Sequence, residues 1–369
     1  MMSRNSKQEA KIRPLCLLTV VLLLTGCTSM DPIMSPVSQE ETFSPVVSET
    51  KQPVAIQPDD KTVLDSGELG DGLIWTLYDN NECEISGTGT VKQFVDSYVI
   101  RKHLDKVKTI RIKEGITHID NNAFQGCAKI EKVYFESDIS SIGEWAFAGC
   151  TALGSISLPD SVRQIGSYAF NGCSAMKSLV IGSSLETMGD GIVQGCTALI
   201  SISIASDVPD GAFEKCTSVI SITIGDSVKR IGTRAFNGCT ALNNIEIPGS
   251  VLIIGESAFE GCTALNNVRL HSGIETIEKW AFSGCTALKS IQIPDGLKAI
   301  REKAFSGCTA LETMSLPKGI TNIGYGFVEG DQVLRTLHFA GTTEEWNKIE
   351  KEAGWKKGAG FRMKYKSEG

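Results

Sequence analysis

Histidine is scarce, four in 369 residues, which leaves little room for an imidazole-based metal centre. No Cys-x-x-Cys pair occurs, so a thiolate zinc site has no starting point either. Basic charge is not in excess: 36 Lys+Arg against 43 Asp+Glu give a net charge of −7. Binding to nucleic acid needs a basic stripe, and this balance argues against it. Aromatic residues make up only 7%, and Gly 37 with Pro 11 is an ordinary share, so the chain is neither a disordered acidic polymer nor collagen-like. Catalytic signatures are missing as well. There is no G-x-S-x-G elbow, no H-E-x-x-H and no G-x-x-x-x-G-K-[ST] loop. His103, His118, His271 and His338 fall in different segments with no recurring nucleophile or carboxylate beside them, and read as solvent-facing or edge residues. The sequence assigns no catalytic residue, no metal and no cofactor, and predicts a protein that is not an enzyme.

What is present begins with an export pattern. Arg4, Lys7, Lys11 and Arg13 precede the apolar run Leu15 to Leu24. Ten residues rise about 15 Å as a helix, too short for a hydrocarbon core of about 30 Å, and fit a secretory leader. The next residues, Leu24-Thr25-Gly26-Cys27, resemble the bacterial lipobox, which implies cleavage before Cys27 and a lipid on its thiol. Several acyl chains on one residue hold a protein to a membrane stably. The alternative is a plain secreted protein whose Cys27 carries no lipid. Residues 28–60 then hold five of the eleven prolines among Ser, Thr, Glu and Gln, too little apolar surface to fold. They read as a disordered tether, or as a disordered segment with no spacing role.

A repeat dominates the remainder. Octets headed by Ala-Phe start at Ala123, Ala146, Ala169, Ala212, Ala235, Ala258, Ala281 and Ala304. Cysteines follow at 127, 150, 173, 196, 216, 239, 262, 285 and 308, at one constant interval except for the shorter step from Cys196 to Cys216. In the unit from Leu242, Ile245 and Ile247 alternate with Asn244 and Glu246, as in a half-buried strand, and Pro248 ends it. A second extended piece, Val251 to Ile254, returns along the other side. Ala258-Phe259 then supplies interior residues before a Gly-Cys-Thr turn. One unit cannot bury its own apolar side; stacked at about 4.8 Å, copies form a continuous core.

These residues resemble the BspA-type leucine-rich repeat, over about residues 105 to 340. Ser66 to Gly89 is similar to the small β-rich segment that often precedes such repeats. Phe339 to Ile349 is similar to the segment that often closes them, with Trp346 and Ile349 expected to seal the last coil. The fold expected is mostly β with short irregular, 3-10 or helical turns: a leucine-rich-repeat solenoid of about nine or ten units. The domains expected are a lipoprotein signal peptide (1–26), a tether (27–60), a β-rich N-terminal segment (61–104), the solenoid (105–341) and a C-terminal cap (342–369). The resemblance implies adhesion, since some members of that family bind host matrix proteins or mediate coaggregation.

Two details qualify the pattern. Ile192-Val193 replace Ala-Phe in one unit and the next is three residues short, which predicts a bend or packing defect between about 190 and 212. Drift in a tolerant repeat is favoured there over a functional notch. The nine repeat cysteines occupy equivalent places, where parallel Cβ vectors keep them too far apart for disulfides. They are expected as buried thiols acting as small hydrophobes, while Cys83 has no evident partner.

The exposed strand face offers two columns. One, from Lys132 through Ser155 to Thr336, is small and polar and is read as packing chemistry. The other varies, and Tyr134, Glu246, Arg269, Gln292 and His338 are its candidate ligand-binding residues. The expected protein is a lipid-anchored bacterial surface module, held to the membrane by lipid on Cys27, that binds a host extracellular-matrix protein, a glycan or another cell. A periplasmic or cell-envelope scaffold without a host ligand is the competing reading; an exported hydrolase comes third. The sequence leaves the ligand and the oligomeric state open.

Overall fold

The structure, a computed structural model, describes residues 61–366 apart from 93, 95–97, 182 and 183. The leader, Cys27 and the tether lie outside the described residues. Each coil contributes a front strand, such as Asn244–Ile247 or Asn267–Leu270, and a two-residue back strand, such as Ile253–Ile254 or Thr276–Ile277. From Thr109–Ile112 onward every pairing is parallel, residue for residue with the next coil: Asn244 with Asn267, Ile245 with Val268, Glu246 with Arg269. About twelve turns result, more than the nine or ten units read from the octets.

The alternation in each front strand sets its two faces. Ile245 and Ile247 are buried while Asn244 and Glu246 are exposed. Inside, the Ala-Phe phenylalanines stack in line, as the period requires: Phe147 on Phe170 at 5.4 Å, Phe236 on Phe259 at 5.2 Å, Phe282 on Phe305 at 5.3 Å. All ten described cysteines are free and buried. From Cys150 to Cys308 each thiol donates to the backbone carbonyl of the preceding coil, for example Cys239 to Phe213 at 3.3 Å and Cys262 to Phe236 at 3.3 Å. Burial pushes the Cys150, Cys216, Cys239, Cys262, Cys285 and Cys308 thiols up, Cys262 to about 12, so they are inert donors.

Two glycine positions let the coils approach. In the Gly-Cys turn the backbone is left-handed, Gly261 at φ 71°, where glycine alone is unstrained. After the back strand, a Cβ on Gly255 would fall 2.7 Å from the carbonyl of Gly232 in the preceding coil. Glycine holds that position at 143, 166, 189, 232, 255 and 324, while Asp120, Pro209, Glu278 and Arg301 take it in other coils.

The irregular unit does not produce the packing defect expected. Ile192 and Val193 are buried in the place of the Ala-Phe pair, and the turn ladder passes through them: Phe170 N–H donates to Ile192 at 2.9 Å and Val193 N–H to Ala212 at 3.0 Å. Asn171, Gln194 and Glu214 join side chains across the same three coils at 2.9 and 2.7 Å. The loss falls on the ladders. The front one has no pairing between Ser178–Val180 and Ser201–Ile204, and the back one breaks between Thr187–Met188 and Arg230–Ile231, where Val208 keeps one isolated bridge to Ile231. Three missing residues shorten the back piece, not the core.

Both ends are closed by β structure. Val63–Gly70 and Leu73–Tyr78 form an antiparallel hairpin whose second strand pairs Glu82–Ser86, and that strand runs parallel to Thr109–Ile112. Trp75, Leu77 and Ile85 extend the core into this segment. At the other end Thr342 and Glu345 form a capping box on the helix Thr343–Asn347. Trp346 and Ile349 are buried, with Trp346 edge-on to Phe339 at 5.2 Å. A further coil follows them. Glu350–Lys351 pairs with Asn322–Ile323, Arg362–Tyr365 pairs with Thr336–Phe339, and Trp355 packs beside Phe327 at 6.2 Å, both standing where other coils have the alanine of Ala-Phe.

Candidate functional site: the front sheet face

The registers place the two outward columns as the repeat demands. Ser155 lies beside Ser178, Asn244 beside Asn267, Ser290 beside Thr313 and Thr336. In the second column Gln292, Ser315 and His338 are aligned, as are Glu246 and Arg269. Tyr134 stands apart on Lys132–Phe135, nearer the N-terminal hairpin. The five candidate residues therefore lie along one face without converging on a point.

Their surroundings differ. Tyr134 is exposed, and the Arg111 guanidinium lies over its ring at 4.9 Å. Arg111 also bridges Glu82 at 2.9 Å and Glu136 at 2.8 Å, and Lys61 and Lys113 complete a charged lattice over the first strands. Arg111 escapes the sequence candidates because the aligned columns begin one coil later, at Lys132; its register with Tyr134 marks it. Glu246 accepts from His271 Nε2 at 2.7 Å, with Arg269 at 3.8 Å, and the histidine holds its carboxyl below the usual range. His271 is thus a carboxylate partner at the strand end, which spacing alone does not reveal. Gln292 is exposed and His338 half-buried, and the latter pairs in register with Lys364 on the edge strand.

Among the described residues no group of three or more His, Cys, Asp or Glu could hold a metal ion, and no helix is long and apolar enough to cross a membrane. One buried acid departs from the pattern. Asp331 takes the place of the repeat cysteine, one full period after Cys308; it is fully buried, and neither carboxyl oxygen has a hydrogen-bond partner. Burial pushes its carboxyl up to about 8.

Stacked coils with parallel front strands, an interior phenylalanine column and a hydrogen-bonded thiol column define a leucine-rich-repeat solenoid. The family model described as the BspA type leucine rich repeat region (6 copies) matches residues 96–210 and 206–335, well over half of the chain. The protein belongs to the BspA-type leucine-rich-repeat family. Solved structures similar to it include a leucine rich cell surface protein of Faecalibacterium prausnitzii, 23% identical over 79% of this chain and 98% of that one, TM-score 0.39. A leucine-rich repeat protein of Eubacterium ventriosum is 22% identical over 80% and 95%, TM-score 0.48. A pneumococcal vaccine antigen is 18% identical over 75% and 88%, TM-score 0.41. No curated protein matches the chain.

Proposed function

We propose that the chain is a lipid-anchored surface module that binds a protein or glycan partner along its front sheet and performs no catalysis. The observation that carries this reading is the front face itself: parallel strands in strict register expose hydroxyl, amide and charged side chains over a closed apolar core. Such a face supplies area for recognition while its scaffold stays rigid. The basic leader, the apolar run and Leu24-Thr25-Gly26-Cys27 support export and lipid attachment at Cys27. Membership in the BspA-type family is consistent with adhesion.

Brief protease treatment of intact cells tests the location: a surface module is shaved, whereas an envelope-internal scaffold survives. Binding of the purified full-length chain to a panel of extracellular-matrix proteins tests the face. Saturable binding is expected, weakened about tenfold or more when Tyr134, Arg269 and His338 are replaced together by Ala, since interface anchors of this kind dominate affinity. Binding unchanged in the triple variant would remove the front face from consideration.

A further inference from the structure

The front face is not uniform along its length. From Ser155 to Thr223 neither outward column carries a charged side chain; charge lies before that stretch, at Lys132, and returns after it, at Glu246. The same stretch holds two exposed aliphatic side chains at the entrance to its strands. Ile200 and Ile220 are 45% and 50% exposed, and they sit on adjacent coils, the Ile220 N–H donating to the Ile200 carbonyl at 2.9 Å. From Lys108 to Arg335 every other coil places a polar residue or glycine there, Lys177 just before the pair and Asn243 just after it. A lone exposed isoleucine is ordinary, but two side by side at a position otherwise kept polar mark a contact surface.

At the exit of the same strands the face sinks into a groove. No ladder forms between Ser221–Ile224 and Asn244–Ile247, and the half-buried Ile222 lines the opening together with Thr223, Asp226, Glu246 and Pro248. Asp226 is exposed and forms no ion pair among the described residues. Glu246 is shared between His271 at 2.7 Å and Arg269 at 3.8 Å. With His271 uncharged, Asp226, Glu246 and Arg269 leave one net negative charge at the groove.

These features narrow the occupant. From Ser155 to Thr223 the outward columns offer no aromatic ring on which a sugar could stack, and the charge of the groove disfavours a polyanion. What fits is a polypeptide: aliphatic side chains for the isoleucine pair, and one cationic side chain whose stem lies on Ile222 while its charge meets Asp226 and Glu246. Thr223 stands one period before Glu246 and three residues after Ile220. That is about 10 Å along an extended chain, so a partner strand reaches both features within about three or four residues.

We propose that an extended segment of a partner protein lies across the front face alongside Ser221–Ile224, setting aliphatic side chains on Ile200 and Ile220 and a Lys or Arg in the groove. The proposal rests on the front-face reading and deepens it: the partner is a protein, and its apolar anchor is the isoleucine pair.

The test pans a phage-displayed library of random twelve-residue peptides on the full-length chain and measures the enriched peptides by fluorescence polarisation. Enriched sequences are expected to carry aliphatic residues with a Lys or Arg about three or four positions away. Ile200→Lys with Ile220→Asn installs the residues of the flanking coils, Lys177 and Asn243, so the fold is kept; it should weaken these peptides about tenfold or more. Asp226→Asn should weaken them about threefold, and should leave unchanged a peptide whose Lys or Arg is replaced by Gln. No enriched peptide, equal binding by the isoleucine variant and the unaltered chain, or an Asp226→Asn loss that persists with the Gln peptide would each overturn the proposal. So would a glycan on an array, or a second copy of this chain in light scattering, found to bind through the isoleucine pair instead. Matrix-protein binding kept by the isoleucine variant but lost when Tyr134, Arg269 and His338 are replaced would leave the front face standing and remove this docking mode; binding unchanged in both would remove the face itself.

Discussion

In eight successive coils a thiol reaches the second lone pair of a carbonyl one coil back, at 3.2–3.3 Å. That column asks for a small side chain with a donor, which explains cysteine where alanine would fill the space. Asp331 stands in that column with no hydrogen-bond partner on either carboxyl oxygen, so burial favours its neutral, protonated form. Its folded pKa of about 8 lies above the ordinary 3.8, so between those values the folded chain holds a proton that the unfolded chain has lost. The stability from this group is complete below about pH 4 and declines as pH rises toward 8, with a slope approaching ~1.4 kcal/mol per unit. The ion-paired carboxylates Glu82 and Glu136 have lowered pKa values and act in the opposite sense. The measurement is therefore a difference. Thermal melts of Asp331→Cys against the unaltered chain should nearly coincide at pH 4.5 and diverge at pH 8, with the variant more stable. Parallel curves across that range would show that Asp331 is not buried as a neutral acid. The sequence does not announce this residue, because the column is recognised by its cysteines and an acid in their place reads as surface charge.

A coil is held at its spacing by two kinds of glycine, and they fail differently. At Gly261 a Cβ would find its nearest neighbour at 3.9 Å, so Gly261→Ala meets only the left-handed backbone, a cost of about 1–2 kcal/mol. Lys215 occupies the equivalent turn position at φ 60°, direct evidence that this strain is tolerated. Gly255 needs no special backbone, yet its Cβ would fall 2.7 Å from the Gly232 carbonyl, so Gly255→Ala must shift the local turn, although Glu278 and Arg301 are accommodated at the same place in the next two coils. Overpacking of this kind costs about 1–3 kcal/mol and is felt by the stacked rings as well. Urea unfolding should therefore rank Gly255→Ala as the more damaging, with Phe259→Ala worse than both at about 3–5 kcal/mol. If Gly261→Ala is the worse glycine variant, close approach of coils does not set the spacing. At this scale the sequence is most legible: Ile245, Ile247, Phe259 and Cys262 point inward as their spacing requires. The back strands are shorter than their sequence suggests, Ile253–Ile254 against Val251 to Ile254, because proximity between turns limits pairing there and no periodicity records it.

Across the whole molecule each coil leans only on its neighbours, so the ends carry a burden that the middle does not. The C-terminal end is only half legible for a geometric reason. Insertion of the helix Thr343–Asn347 stretches the step from Phe327 to Trp355 beyond one period, and Trp355, Lys356 and Ala359 stand where other coils have alanine, phenylalanine and cysteine, so the period vanishes from the sequence while the coil persists. Stacking physics then separates two deletions of similar size. Excising residues 242–264 removes one whole unit in phase and brings equivalent surfaces together; the product should stay soluble and monomeric by light scattering, with a somewhat lower denaturant midpoint. Removing residues 343–369 takes away Trp346, Trp355 and Phe361, and leaves Phe327, Leu337 and Phe339 facing water beside an uncovered parallel strand. Open edges of that kind invite another chain. That truncation should bind a hydrophobic dye and sediment as aggregates, although it loses no more chain than a unit and its cap. If both deletions behave alike, the last coil is not a seal, and the solenoid's solubility must reside in the side chains of its faces.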